Sequence, residues 1–250
     1  MPSLSEGNEM YSQRILAEEW ETTSVLDLWH KQVALHHHET YKGIGLAKFP
    51  QDLWSYEKII YESAPKTIIE IGVNNGGFTR WLYDRLLLAT TEEPGSTRTL
   101  IGLDINIDNA RDNLSALSLD GSSGVKLELI HCNLLDIQSV ENAKQEIIKH
   151  IDGQPLLIIE DSGHTYETTD AALSSFSELL KPGEWFIVED TCVDIESLRE
   201  SPEWPRGALN AVNSFLLKNS DFERTNFNHA YTITCHPFGF LRKKLAASSF

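Results

Sequence analysis

Thr67-Ile68-Ile69-Glu70-Ile71-Gly72-Val73-Asn74-Asn75-Gly76-Gly77 is the stretch that decides the fold of this 250-residue chain. An apolar β-branched run (Ile68, Ile69, Ile71) ends in a turn holding three glycines, and a helical pattern follows at once in Phe78, Trp81, Leu82, Arg85 and Leu86. Strand, glycine turn and helix form the unit with which an open α/β sheet builds its first ligand site, at the carboxyl end of a strand. The glycines permit a sharp turn and a close backbone approach, and the helix N-terminus adds free N–H groups. The spacing Gly-x-x-x-Gly-Gly is not the dinucleotide fingerprint, and no Gly-Lys-Ser/Thr follows to make a phosphate loop. Glu70, just ahead of the first glycine, would repel a phosphate and favours a cation. S-Adenosylmethionine has no phosphate and carries an ammonium and a sulfonium. A purely structural βα turn is the alternative at this point.

The alternation continues downstream. Strands are predicted at 99–105, 126–130, 156–161 and 184–190, and helices at 78–89, 108–118, 140–150, 168–180 and 206–218. Late strand candidates lie at 222–227, 231–235 and 239–242. This order predicts an α/β fold: a Rossmann-like, mostly parallel sheet with an antiparallel C-terminal edge and helices on both faces. Upstream, Pro50-Gln51-Asp52 opens a helix reaching about Ser63, with Pro50 or Asp52 serving its first turn, and Pro65 breaks it. Residues 1–35 carry helix-like apolar spacing in Ile15, Leu16, Trp20, Val25, Leu26 and Trp29. The chain divides accordingly into an N-terminal helical extension, 1–60, for an acceptor lid or homo-oligomer contacts, and a cofactor-binding domain, 61–250. His36-His37-His38 cannot put three rings on one helix face and reads as a surface or loop feature rather than a metal site.

Ligands in such a sheet gather at the carboxyl ends of the strands. Those ends carry Glu70 and Gly72, Asp104, Asn133, Asp161, and Glu189-Asp190. Asp104, closing the second strand, can take both hydroxyls of a ribose; the alternative is a cap for the helix beginning near Asp108. Asn133 and Asp136 stand where an adenine would be read. Asp161, Glu189 and Asp190 converge at one rim, where uncompensated carboxylates would repel one another. A divalent cation removes that repulsion, and all-oxygen ligation suits Mg²⁺ better than Zn²⁺. His164, three residues beyond Asp161, can act as a general base for a substrate hydroxyl. The alternative is an acidic rim bridged to Lys or Arg, with His164 capping a helix.

Composition bounds the partners. The formal net charge of −16 argues against a nucleic-acid backbone and is compatible with a neutral or cationic small substrate. Cys132, Cys192 and Cys235 are odd in number and lack metal-type spacing, which predicts a reduced, cytoplasmic protein. The N-terminus lacks a basic-then-apolar signal pattern, and no apolar run approaches the roughly 18 residues of a membrane span.

Together these pieces resemble the cephalosporin hydroxylase/rhamnosyl O-methyltransferase family of class I S-adenosylmethionine-dependent methyltransferases, related to the macrocin-type sugar O-methyltransferases. The resemblance runs from about Tyr41 to Arg242. It rests on Gly43 to Lys48 with Pro50 and Asp52, on Ile69-Glu70-Ile71-Gly72 with Gly76-Gly77, and on Leu103-Asp104-Ile105. Its most specific parts are Glu160-Asp161-Ser162 with His164-Thr165, and Val188-Glu189-Asp190-Thr191. Gly207, Ala211, Phe215-Leu216 and Gly239-Phe240-Leu241-Arg242 complete it. The resemblance implies that Glu70, Gly72 and Asp104 hold the cofactor, that Asp161, Glu189 and Asp190 hold Mg²⁺, and that His164 is the base. With the strand-end reading, the candidate cofactor set is Glu70, Gly72, Asn74, Gly76, Gly77, Asp104, Asn133 and Asp161, with His164 and Asp161 as the catalytic pair. The turn is less glycine-rich than the general methyltransferase pattern, and the first forty residues match nothing.

The expected activity is Mg²⁺-dependent O-methylation of a sugar hydroxyl in natural-product (antibiotic) biosynthesis. Two alternatives stay open: N-methylation of an amine on an antibiotic intermediate such as a lincosamide, and a cofactor-bound, non-catalytic partner of a hydroxylase. A nicotinamide oxidoreductase is disfavoured, because a glycine is missing where the pyrophosphate would approach.

Overall fold

A computed structural model describes residues 22–92, 96–117, 120–151, 155–199, 201–225, 227 and 233–245. Helix α1 (Val25–His36) leads into a hairpin of β1 (Thr40–Tyr41) and β2 (Ile44–Gly45), then α2 (Pro50–Ser63). The alternating part comprises β3 (Thr67–Ile71), α3 (Gly77–Glu92), β4 (Arg98–Asp104), α4 (Asp108–Asn113), β5 (Val125–His131), α5 (Ile137–His150), β6 (Leu156–Glu160), α6 (Tyr166–Phe176) and β7 (Trp185–Val188). Short 3₁₀ turns at Thr191–Asp194 and Glu196–Leu198 precede α7 (Ala208–Lys218), β8 (Phe222–Arg224) and β9 (Phe240–Lys243).

Among the described residues one sheet has the order β5-β4-β3-β6-β7-β9-β8. Neighbours from β5 to β7 are parallel, and β9 runs antiparallel to both β7 and β8. β3 and β6 are buried along their whole length, as central strands covered on both faces must be. Side chains alternate across the pleat. Ile69 and Ile71 therefore join one apolar layer with Val140 and Ile147 of α5, Phe176 of α6 and Phe215 of α7. Ile68 joins the other, with Tyr56 and Ile59 of α2, Leu82 and Leu86 of α3, and Leu114.

Several boundaries move for identifiable reasons. The helix predicted from 168 begins at Tyr166, because Thr165 and Thr168 form a reciprocal capping box, and it tightens into a 3₁₀ turn at Ser177–Leu179. The helix predicted over 108–118 stops at Asn113. Of the strand predicted at 231–235, residues 231 and 232 lie outside the described residues, and 233–235 are irregular. There the Asp52 carboxylate takes the Thr234 hydroxyl (2.5 Å) and the Cys235 N–H (2.9 Å), so these groups do not serve a ladder. Ile15, Leu16 and Trp20 also lie outside the described residues.

The upstream helices are built into the same body. Trp29 of α1 is buried, and its indole N–H donates to the Leu198 carbonyl at 2.9 Å. α2 runs through the boundary at 60/61, with Tyr56, Ile59 and Ile60 in the core. Among the described residues no helix is long and apolar enough to cross a membrane.

The β1–β2 hairpin is seated directly on the start of α3. A Cβ placed on Gly77 would lie 2.0 Å from the Gly45 carbonyl oxygen, closer than any real contact. Gly77→Ala is therefore expected to push the hairpin off α3 and to destabilise the protein by about 1–3 kcal/mol. A lowered urea midpoint with an unchanged m-value would show it.

Candidate active site

The strand ends are level because each makes one hydrogen bond past its ladder. Asp161 N–H donates to the Ile71 carbonyl (2.7 Å), Glu189 N–H to Glu160 (2.8 Å), Gly72 N–H to Leu103 (2.8 Å) and Cys132 N–H to Asp104 (2.9 Å). Gly72, at φ +100°, lets β3 and β6 approach here: a Cβ on it would lie 2.0 Å from the Asp161 carbonyl oxygen. Five strands thus present their carboxyl ends at one rim, and three adjoining cavities open on it.

The first cavity, about 320 Å³, lies over β3, β4 and β5. Asp104, Asn133, Ile105, Leu134 and Leu135 line it, with Gly72 and Asp161 at its inner end. Ile105 and Leu135 are exposed apolar side chains, suited to sandwich a flat base. The Asp104 carboxylate accepts the Asn74 N–H (2.9 Å) and the Asn106 N–H (2.8 Å), so it ties the glycine turn to β4 and does not cap α4. Asn133 Oδ1 accepts the Leu135 N–H, while Asp136 is the N-cap of α5.

The second cavity, about 250 Å³, shares Gly72, Asp161 and Ser162 with the first and adds Lys48, Glu70, Asn74, His164 and Asp190. Gly76 and Gly77 line none of the three cavities; a Cβ on Gly76 would meet Leu114, so this glycine makes room for packing. Ala47, Asn74, His164 and Asp190, all lining the second cavity, have left-handed backbones with φ of 48°, 50°, 54° and 51°. Such conformations cost energy in residues with a side chain and concentrate at functional sites.

Glu70 is fully buried, and neither of its oxygens has a hydrogen-bond partner. Burial pushes its carboxyl well above the usual range, against the opposing effect of nearby Thr79 and Lys48. Glu160, equally buried, differs: its carboxylate accepts Ser162 N–H, Ser162 Oγ–H and Thr169 Oγ1–H. An unpartnered buried carboxylate facing a cavity fits a cationic ligand group.

The acidic rim is closed by a cation of the chain itself. Lys48 Nζ lies 2.5 Å from Asp161 Oδ2 and 2.7 Å from Glu189 Oε2. Glu189 Oε1 accepts the Tyr56 hydroxyl at 2.6 Å. Burial alone would lower the Lys48 ammonium's pKa, but Asp161 and Glu189 raise it well above the ordinary value. Burial pushes the Asp161 carboxyl up to about 7, with Glu189 adding to the rise and Lys48 opposing it. His164 Nε2 stands 3.3 Å from Asp190 Oδ2 and 4.0 Å from Asp161 Oδ1. Burial disfavours its imidazolium, yet Asp190 and Asp161 outweigh that and raise its pKa. Burial also acts to raise the Asp190 carboxyl, and His164 and His236 together hold it below the usual range. Asp161, His164 and Asp190 each offer one ligand atom within 4.8 Å of the others, as do Glu189, Asp190 and His236. Oxygen-rich donors of this kind fit a hard divalent cation.

The third cavity, about 190 Å³, has His164 and Asp190 on one side and Val33, His36, His37, Trp204 and Pro205 on the other. Two histidines of the 36–38 run therefore face the site, which the reading of a surface or loop feature missed. His36 ends α1 and its ring packs edge-on against Phe49, 5.1 Å between centroids. Lys48, Tyr56, His236 and Arg199 were also not singled out as site residues. His236 Nδ1 accepts the Asp190 N–H at 2.9 Å, which leaves the proton on Nε2, 3.6 Å from both Asp52 and Glu189. The buried Arg199 guanidinium donates to the carbonyls of Val193, Ser201, Pro202, Trp204 and Pro205 and so shapes the loop carrying Trp204. These partners are remote in sequence, and only the Lys48–Asp52 lead-in carried a signal.

The sequence profile of the family described as Rhamnosyl O-methyltransferase/CmcI matches residues 33–244. The chain belongs to this family. Rhamnosyl O-methyltransferases of Mycobacterium tuberculosis and Mycobacterium bovis are each 24% identical to it over 155 residues, covering 62% of this chain and 58% of theirs. The chain thus spans a little over half the length of those curated relatives. Among solved structures, the Mg–SAM form of CmcI is 19% identical with a TM-score of 0.57, covering 84% of this chain and 78% of that one. The apo form is 20% identical with a TM-score of 0.58, covering 94% and 86%. These likenesses establish the Rossmann-like fold of the class I methyltransferases for this member of the Rhamnosyl O-methyltransferase/CmcI family.

Glu70 yields a test of the cofactor-free protein. An unfolded glutamate ionises near about pH 4.3, whereas the native one holds its proton to higher pH. Between those values only the unfolded chain loses the proton, so this group's contribution to stability falls as pH rises. Glu70→Gln removes the linkage. Relative to wild type the variant should gain about 1–3 kcal/mol between about pH 4.5 and pH 8, measured by urea unfolding at both pH values.

Proposed function

We propose that the chain is an S-adenosylmethionine-dependent methyltransferase that methylates a hydroxyl of a sugar carried by a natural product in antibiotic biosynthesis. The observation that carries this reading is the buried, unpartnered Glu70 carboxylate in the wall of the second cavity, which joins the Asp104-lined first cavity through Gly72, Asp161 and Ser162. Asp104 and Asn133 would take the ribose and base, Ile105 and Leu135 would enclose the base, and Glu70 would face the cationic methionyl end. Gly72 and Asn74 would border that end. The relatives named as rhamnosyl O-methyltransferases support the sugar, and the third cavity suits one. The Trp204 ring offers a face for sugar C–H groups, and His36 and His37 offer nitrogen atoms for hydroxyls.

Bound S-adenosylmethionine supplies an electrophilic methyl group, and bound Mg²⁺ supplies a Lewis acid that acidifies a hydroxyl. Asp161, Glu189 and Asp190 would hold that ion. His164, shared by the second and third cavities, would accept the acceptor's proton, and Asp190, 3.3 Å from its Nε2, would stabilise the resulting imidazolium. Orientation of cofactor and acceptor by the cavity walls would contribute much of the rate.

His164→Ala is expected to lower kcat about 10²–10⁴-fold toward a rhamnosylated acceptor, while thermal stabilisation by S-adenosylmethionine is kept. Asp161→Asn should abolish turnover, and excess EDTA should do the same to wild type. Full activity in EDTA sinks the metal role and favours the amine acceptor, for which the neutralisation of Asp161 and Glu189 by Lys48 already speaks. Stabilisation by NAD, with none by S-adenosylmethionine or S-adenosylhomocysteine, would refute the cofactor assignment. Trp204→Ala should raise KM for the acceptor about tenfold with a smaller change in kcat, measured in steady-state kinetics.

A further inference from the structure

We infer that Lys48 is a built-in competitor for the divalent cation: its ammonium holds the carboxylate cluster closed, and an entering metal must displace it. The inference rests on the metal assignment above and concerns how that site is kept without metal. Lys48 Nζ is within hydrogen-bond distance of one oxygen each of Asp161 and Glu189, two of the three carboxylates assigned to the ion. Mg²⁺ sits about 2.0–2.1 Å from its oxygen ligands, so an ion bridging those two oxygens would occupy the ammonium's own position. Two cations so close in a buried site repel strongly.

The surroundings also offer the lysine somewhere to go. Lys48 follows Ala47, whose left-handed backbone turns the chain between β2 and α2, and its stem lines the second cavity. The Phe78 ring lies 4.8 Å from Nζ and gives the ammonium an aromatic face beside the cluster. Glu189 would keep its Tyr56 hydrogen bond through the exchange, because that bond uses its other oxygen. The cluster consequently has a counter-charge in both states, Lys48 in one and the ion in the other.

The test is Mn²⁺ and Mg²⁺ binding to the full chain by calorimetry, wild type against Lys48→Met, with thermal unfolding in EDTA and in excess metal. The expected result is that Lys48→Met binds the ion about tenfold or more tightly than wild type. It should also be less stable than wild type in EDTA and recover most of that loss in metal. Equal affinity in the two proteins overturns the inference and leaves the metal assignment standing. Binding by neither protein overturns both. Should Lys48→Met not fold, a Mn²⁺-soaked crystal of wild type decides the matter. Lys48 Nζ moved out of reach of Asp161 or Glu189 supports competition, and Mn²⁺ on both carboxylates with Lys48 still between them refutes it.

Discussion

A lysine ammonium between two buried carboxylates is the interaction on which the rest of the site depends. Asp161 and Glu189 end neighbouring parallel strands whose register pairs Glu160 with Val188, so the next residues stand side by side. Glu189 is fully buried and Asp161 mostly so, and two such charges are unstable without a counter-charge. Lys48 supplies it from a loop that belongs to neither strand. That placement explains the construction upstream of the sheet. The β1–β2 hairpin is locked onto α3 through the Gly45–Gly77 contact, and α2 begins at Pro50 immediately after the lysine. Tyr56, two turns into α2, reaches the other Glu189 oxygen, and Asp52 pins the 234–236 segment that carries His236. The segment preceding β3 thus contributes to the acidic rim as well as to the core.

The fold was legible because its signals are local. Ile68, Ile69 and Ile71 before a glycine turn, and the repeated change from period 2 to period 3.6, need only a dozen residues to be read. The strand-end rule then brought Glu70, Asp104, Asn133, Asp161, Glu189 and Asp190 to one rim without any knowledge of distance. What stayed hidden depends on pairs far apart in the chain: Lys48 with Glu189, Asp52 with Cys235, Trp29 with Leu198. No periodicity encodes such pairs. The charge argument did signal that something must neutralise three converging acids, and it left open whether an ion or a side chain does so.

His36-His37-His38 shows a different limit. A helical wheel asks which residues share a face, and three consecutive residues never do. At a helix end the question changes, because His36 closes α1 while His37 is already its C-cap. Two adjacent rings then lie against each other, 4.1 Å between centroids and tilted by 39°, and both line the cavities beside His164. Helix termini are where side-chain direction departs from the wheel, so functional residues placed there escape periodicity.

Glu70 and Glu160 make the more general point. They stand one register step apart on adjacent central strands, Glu70 beside Ile159 and Glu160 beside Ile71, and so lie on opposite faces of the sheet, and both are fully buried. Their hydrogen-bond partners differ as well. Glu160 has three hydrogen bonds from Ser162 and Thr169, which stabilise its place in the β6–α6 turn and make it structural. Neither Glu70 oxygen has a hydrogen-bond partner, and nearby Thr79 and Lys48 offset its burial only in part, which leaves a cost that the folded protein carries. A cationic group arriving at Glu70 would recover that energy as affinity, and an anionic group would add to the cost. The same turn that a phosphate-binding protein would fill with backbone N–H groups is here held by Asp104 through the Asn74 N–H. On the proposed reading, preference for a positively charged cofactor would follow from two carboxylates, Asp104 satisfied by the turn and Glu70 left unsatisfied in the strand before it.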